Sequence, residues 1–288
     1  MLDHNRKYGI FTWFGYARPM EEKLDLIKAA GFHSVCSWWG DSFSGLDGPK
    51  EEIAFLAAAR GLHLENAHMP YEEQDLLWQD TEAGEDLHKK LEADILKAAE
   101  VGIPVLVIHP YRSRRVLLEG QEALFFRRAR QLGEAAGRRG VLLAWENLKE
   151  SRLLRTLMEE LADQENSGFC LDTGHANISR DGALSLLTDF PDKLFALHLH
   201  DNDGKEDQHL MPGQGTFPWQ DFMDKLNKTE YQGSLMLESS YPYDEKRAEE
   251  LGNPPYLEPG LPPEEYLQEA FESVCRLDAD WNFSGSLG

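Results

Sequence analysis

Cysteine is scarce in this chain. Its three residues, Cys36, Cys170 and Cys275, are odd in number and far apart, and none forms a CxxC pair. A disulfide framework and a structural zinc knuckle are therefore not expected, and a reducing, cytoplasmic setting fits best. Long apolar runs are absent as well. No stretch approaches the ~18 residues needed to span a bilayer, so no membrane role is expected. The opening segment MLDHNRKYGIF is charged and lacks the apolar region of a signal peptide. Positive charge is short too: 29 Lys and Arg face 51 Asp and Glu, a net charge of −22. Such a field repels polyanions, and DNA binding depends on neutralised phosphates, which disfavours a nucleic-acid partner. The acid reads as a solubilising coat on outer helices. No low-complexity segment or Pro/Gly/Ser linker divides the chain, so residues 1–288 are expected to form one domain.

What is present is a repeated unit: a short β-branched or aromatic run, a loop, then an amphipathic helix stopped by glycine. Strands are expected at 9–14, 34–39, 63–68, 105–108, 141–145, 168–171, 194–199 and 234–237. Helices are expected at 20–30, 51–60, 82–101, 121–139, 152–162, 182–187, 219–226 and 263–277. Eight successive β–α units imply an α/β fold with one closed (β/α)8 TIM barrel. An open doubly wound sheet would place a Gly-rich phosphate loop after strand one, and Trp13-Phe14-Gly15-Tyr16 is no such loop.

The barrel demands that chemistry sit where strands end. There the sequence places His68 after strand three, His109 after four and Glu146 after five. Asp172 and His175 follow strand six, His198, His200 and Asp201 strand seven, and Glu238 strand eight. Asp207 and His209 lie just beyond strand seven. Any one of these can be an ordinary polar residue at a sheet end. Six strands ending this way suggest a ring of imidazole and carboxylate ligands for a divalent ion, because clustered carboxylates are costly to bury without a cation. His200 is read as facing away from the side that His198 occupies, and Asp201 as an equally good turn residue. His63 and His88 are read as structural.

These motifs carry a resemblance. Leu-Asp-Thr-Gly-His-Ala-Asn (171–177), His-Leu-His-Asp-Asn-Asp-Gly (198–204) and the run from Asp207 to Trp219 resemble the xylose isomerase-like TIM-barrel superfamily. That superfamily holds sugar epimerases and isomerases, inosose dehydratases and endonuclease IV, and the likeness runs from about Gly9 to Leu277. In the epimerase-type members one ion is held by four residues, which the resemblance places at Glu146, Asp172, His198 and Glu238. In endonuclease IV three zinc ions use nine positions, matched here by those four plus His68, His109, His175, Asp207 and His209. One ion is favoured, with up to three possible. Manganese or zinc suits the donors, with cobalt or magnesium as alternatives.

Two functions share this ligand set. The first is a metal-dependent isomerase or epimerase of a sugar or sugar phosphate, working through a metal-stabilised cis-enediolate. Glu146 and Glu238 would serve as the proton-transfer pair on either side of the substrate, and His68, His109, His175, Asp207 and His209 as further metal or substrate ligands. The second is an endonuclease IV-like trinuclear zinc phosphodiesterase, against which the charge deficit stands. Its only support on the catalytic face is the small patch Arg112-Ser-Arg-Arg115. A barrel that merely binds a sugar is disfavoured by the intact glutamate pair.

Aromatic residues at strand ends suit stacking on a sugar, and Trp13, Trp39 and Tyr71 are expected to touch substrate, with Phe14, Trp38 and Trp145 nearby. Of the neighbours Trp38 and Trp39, one is expected to face the helices instead. Residues 241–263 are too long for an ordinary βα loop and are expected to form a lid or an oligomer contact, so a homo-oligomer is a possible assembly.

Overall fold

The computed structural model describes residues 6–40, 46–112, 120–179, 181–242 and 260–285. Its eight strands are β1 (Tyr8–Phe11), β2 (Ser34–Trp38), β3 (His63–His68), β4 (Val105–Ile108), β5 (Leu142–Glu146), β6 (Ser167–Asp172), β7 (Leu194–His198) and β8 (Leu235–Leu237). All ladders are parallel, in the order β7-β6-β5-β4-β3-β2-β1-β8. A parallel bridge between Leu199 and Leu237 joins the two ends and all but closes the barrel. The main outer helices are α1 (Met20–Ala29), α2 (Ile53–Ala59), α3 (Glu82–Glu100), α4 (Glu122–Gly137) and α5 (Ser151–Glu160). After β6 come α6 (Thr173–Ile178) and α7 (Leu186–Asp189), and the set ends with α8 (Trp219–Leu226) and α9 (Pro263–Gly285). None of the described helices is long and apolar enough to cross a membrane.

Strands two to eight match the sequence reading to within a residue at each end, and β1 is the largest departure, ending at Phe11 rather than at residue 14. The expected helix at 182–187 is instead a 3-10 turn, Ala183–Ser185, running into the single turn of α7. α6 was not foreseen. It forms because Asp172, the last residue of β6, caps it by accepting the His175 amide at 2.6 Å. Of the expected lid, residues 243–259 lie outside the described residues.

The strands are apolar on both faces, as a parallel sheet covered by helices requires. The main core lies between sheet and helices and includes Ile10, Val35, Leu106, Leu143, Trp145, Phe169, Leu171 and Leu197. Side chains of opposite parity point into the barrel. Val107, Ala144, Cys170 and Ala196 pack there in one cluster, and Phe11, Cys36 and Met236 in another, with Asn66 buried on β3. One pleat further along every strand lies the catalytic mouth. Period-two alternation places there Trp13, Trp38, His68, His109, Glu146, Asp172, His198 and Glu238, one residue from each strand in order. Apart from Asn66 the layer beneath is apolar, so the polar ring stands on a packed floor.

Candidate metal centre

Glu146 is the hub. Its Oε2 lies 3.2 Å from both His68 Nε2 and His198 Nδ1. Its Oε1 lies 3.1 Å from His175 Nδ1 and 3.4 Å from His109 Nε2. His198 Nδ1 also lies 3.3 Å from Glu238 Oε2, so one imidazole stands between the two glutamates. His175 reaches Asp172 Oδ1 at 3.4 Å with one nitrogen and Asp207 Oδ2 at 3.0 Å with the other. His209 completes the far side, with Nε2 3.9 Å from Asp207 Oδ1. The structure thus brings together all nine residues singled out for metal or substrate: Glu146, Asp172, His198, Glu238, His68, His109, His175, Asp207 and His209.

Several features fit a cation. Ligand atoms of His68, Glu146 and His198 lie within 4.8 Å of one another, and so do those of Asp172, His198 and Glu238, of Glu146, Asp172 and His175, and of His200, His209 and Glu238. Glu146 Oε2, His198 Nδ1, His175 Nδ1, His200 Nδ1 and Asp207 Oδ1 are buried without an aligned hydrogen-bond partner, a costly state that coordination would relieve. Two imidazoles are also oriented as ligands usually are. Paired with the Met69 carbonyl at 2.8 Å, His68 Nδ1 leaves Nε2 free toward Glu146, and His209 Nδ1 is paired likewise with the Glu238 carbonyl at 2.8 Å. His68 Nε2 and His109 Nε2 face each other at 3.1 Å, where two lone pairs would repel unless a proton or a cation lay near.

Electrostatics separates the two glutamates. Burial opposes ionisation of Glu146, but His109, His175 and His198 outweigh it and hold the carboxyl well below the usual range. Burial and the charges of Asp172 and Glu146 push Glu238 well above it. Burial alone would neutralise His175, yet Asp172, Asp207 and Glu146 keep it charged well above its ordinary pKa. His109 goes the other way, lowered chiefly by burial. Four carboxylates and, with His200, six imidazoles thus meet in one pocket, a donor set able to hold a divalent ion.

Three readings of the sequence need correction. Trp39 does not touch the pocket. It lies on the opposite parity, buried behind β2, where its indole N–H donates to Asp94 Oδ1 of α3 at 3.1 Å and Lys50 Nζ sits 5.0 Å from the ring centre. Its neighbour Trp38 takes the inner place, stacked on His68 with centroids 5.3 Å apart. Trp145, also of outward parity, packs edge-on against Phe125 of α4. Lastly, His200 belongs to the site. Residues two apart on a strand share a face, so His200 follows His198 inward. It is fully buried, with Nε2 3.0 Å from Asp172 Oδ2 and its ring stacked on His209 at 4.1 Å. A Cβ at Gly174 would come within 1.8 Å of the His200 ring, so only glycine admits that ring.

The remaining residues lie as follows. Tyr71 stacks on His109 at 4.5 Å and lines the open cavity above the site, while Trp13 is half-buried beside Phe11, Cys36 and Met236. Asp201 proves to be the loop organiser. It accepts the amides of Gly213 and Phe217 and the Trp219 indole at 2.9–3.1 Å, which curls residues 202–217 back over the barrel. His209 sits in that loop at φ 48°, a left-handed backbone unusual for histidine, with Leu210 bridged to Asp201.

Comparison with known proteins agrees with this architecture. A D-psicose 3-epimerase from Enterocloster bolteae is 27% identical over 263 residues, covering 81% of each chain. A 3-dehydroshikimate dehydratase from Pseudomonas aeruginosa is 28% identical over 242 residues, which span 76% of this chain but 36% of that protein. A solved L-ribulose 3-epimerase shares the fold, with a TM-score of 0.78 at 16% identity over 98% of this chain and 97% of the other. A family model for the xylose isomerase-like TIM barrel matches residues 24–276, and the chain belongs to that family.

Proposed function

We propose that the chain is a divalent-metal-dependent epimerase or isomerase of a small polyhydroxylated α-hydroxycarbonyl compound. The observation that carries this reading is the pairing of Glu146 and Glu238 across His198, 3.2 and 3.3 Å from its Nδ1. The relatedness to a D-psicose 3-epimerase supports it.

A C–H bond beside a carbonyl is weakly acidic, so its cleavage needs a base at the carbon and charge stabilisation at the oxygen. Glu146, Asp172, His198 and Glu238 would hold the ion, of which manganese and zinc suit the donors best. When bound, a divalent ion supplies Lewis-acid polarisation of the carbonyl oxygen. Glu146, ionised within its ring of imidazoles, is the base that takes the proton. Glu238, on the next-to-opposite arc of the mouth, is the acid that returns one. Return to the other face inverts the centre, and return to the adjacent carbon interchanges aldose and ketose. His200 positions Asp172 through the 3.0 Å contact, and Tyr71, which lines the cavity, offers a ring to the C–H side of a sugar. Loss of a β-hydroxyl after the same proton removal would be a dehydration, the reaction named for the Pseudomonas relative.

The test is solvent exchange. Ketoses, aldoses and inososes deuterated at the α-carbon are incubated with the manganese-loaded protein, and loss of deuterium is followed by NMR. Exchange on any of them supports the proposal, and DNA incision at an abasic site without exchange on any of them contradicts it.

A further inference from the structure

Above the metal-type residues the barrel opens into a cavity of about 530 Å³, a volume typical of small-molecule sites. Its wall carries three cations from three different βα loops: Arg112 after β4, Lys149 after β5 and Lys205 after β7. In a chain with 51 acidic and 29 basic residues, such a rim runs against composition. The one carboxylate on the same wall, Asp207, is engaged by His175 at 3.0 Å.

Among the described residues, Lys149 and Lys205 have no structural ion pair. Asp203, two residues from Lys205, turns its Oδ1 to the amides of residues 205 and 206 at 3.0 and 3.2 Å. Arg112 donates to the Glu72 carbonyl at 3.1 Å, which fixes its guanidinium without neutralising it. Arg112 and Lys205 are exposed and Lys149 is half-buried, so Arg112 presents a fixed charge at the rim and the two lysines can reach onto a ligand. Tyr71 and His175 line the same wall, so a molecule in the cavity spans from the cations to the metal-type residues.

We propose that the substrate carries an anionic group, a phosphate ester or a carboxylate, remote from its reacting carbons and held by Arg112, Lys149 and Lys205. This deepens the functional reading and rests on the cavity being the substrate site. Charge-assisted hydrogen bonds from three donors would discriminate an anionic sugar from its neutral parent, within an otherwise repulsive field.

Calorimetric titration of the manganese-loaded protein with D-fructose, D-fructose 6-phosphate and D-fructuronate tests this, since the three share one skeleton. At least one anionic compound should bind ~10-fold or more tightly than D-fructose. The preference should shrink as KCl rises from ~50 to ~300 mM. In the triple variant Arg112→Gln, Lys149→Gln, Lys205→Gln, whose metal-type residues are intact, it should vanish while D-fructose affinity is kept. Whichever of phosphate and carboxylate gains more names the group. The proposal is overturned if neither anion binds more tightly than D-fructose, whether all three bind or none, or if the preference survives in the triple variant. Deuterium exchange is not read in this experiment, so failure of the epimerase proposal shows separately.

Discussion

Glu146→Gln preserves the shape of a side chain that is 1% exposed among four imidazoles, and removes its charge. Both oxygens are in use, Oε1 near His109 and His175 and Oε2 near His68 and His198, so the substitution acts on every member of the ring at once. A lost general base costs at least ~10²-fold in turnover, about 2.7 kcal/mol of transition-state stabilisation. A lost carboxylate also weakens metal binding, so the assay is run at saturating manganese with bound metal measured on the same sample. Glu238→Gln should differ in kind. Both carboxyls must be ionised to hold the ion, so the two differ in the face of the substrate each reaches, Glu146 on β5 and Glu238 beyond β8, rather than in resting charge. Glu146→Gln should abolish exchange of the substrate α-proton, whereas Glu238→Gln should keep exchange and lose inversion. If both variants, fully metal-loaded, turn over a confirmed sugar substrate at the parent rate, the two-glutamate mechanism fails whatever the fold.

Other expectations follow from single contacts. His200→Asn removes the ring that holds Asp172 at 3.0 Å, and manganese affinity should fall ~10–100-fold by titration, with the far-ultraviolet circular dichroism unchanged. Gly174→Ala puts a methyl group 1.8 Å from the His200 ring and should lower the melting temperature or eject the ring, visible as the same loss of metal affinity. Asp47→Ala strands the buried Lys23 ammonium that Asp47 pairs with, and chemical denaturation should show a loss of ~3–5 kcal/mol. Asp181 accepts the Ser151 amide at 2.7 Å at the start of α5, and Asp181→Ala should cost ~1 kcal/mol near neutrality. Serine hydroxyls and backbone amides lower its pKa against burial, so this stabilisation is present above the unfolded carboxylate's value of about 4 and is lost as pH falls through the depressed one. An acid titration of the wild type and the variant should therefore converge below that point.

The barrel was legible because each parallel strand is short, apolar and followed by a glycine-stopped helix, a pattern that period and punctuation reveal without contacts. The metal-type ring was legible for the same reason, since a closed barrel turns strand-end residues scattered from His68 to Glu238 into neighbours. What the sequence reading lost came from parity. Counting in twos from Phe11, Cys36 and Met236 identifies Trp13, Trp38 and Glu238 as inward and Trp39 as outward, and counting from Ala144 and Ala196 places Trp145 outward and keeps His200 on the face of His198. α6 was hidden because Asp172 does two things, capping a helix with Oδ1 and meeting His200 with Oδ2. That Lys149 and Lys205 line one cavity has no signature in spacing, because it depends on how two loops fold.

The central claim is that Glu146, Asp172, His198 and Glu238 hold a divalent ion. Anomalous diffraction at the manganese edge, on crystals of the wild-type protein soaked in manganese, reads this directly. The account predicts a peak bonded to all four side chains, with any further ions lying toward His68 and His109 or toward His175, Asp207 and His209. Full manganese occupancy elsewhere, or no peak among these four residues at saturating metal, would contradict it.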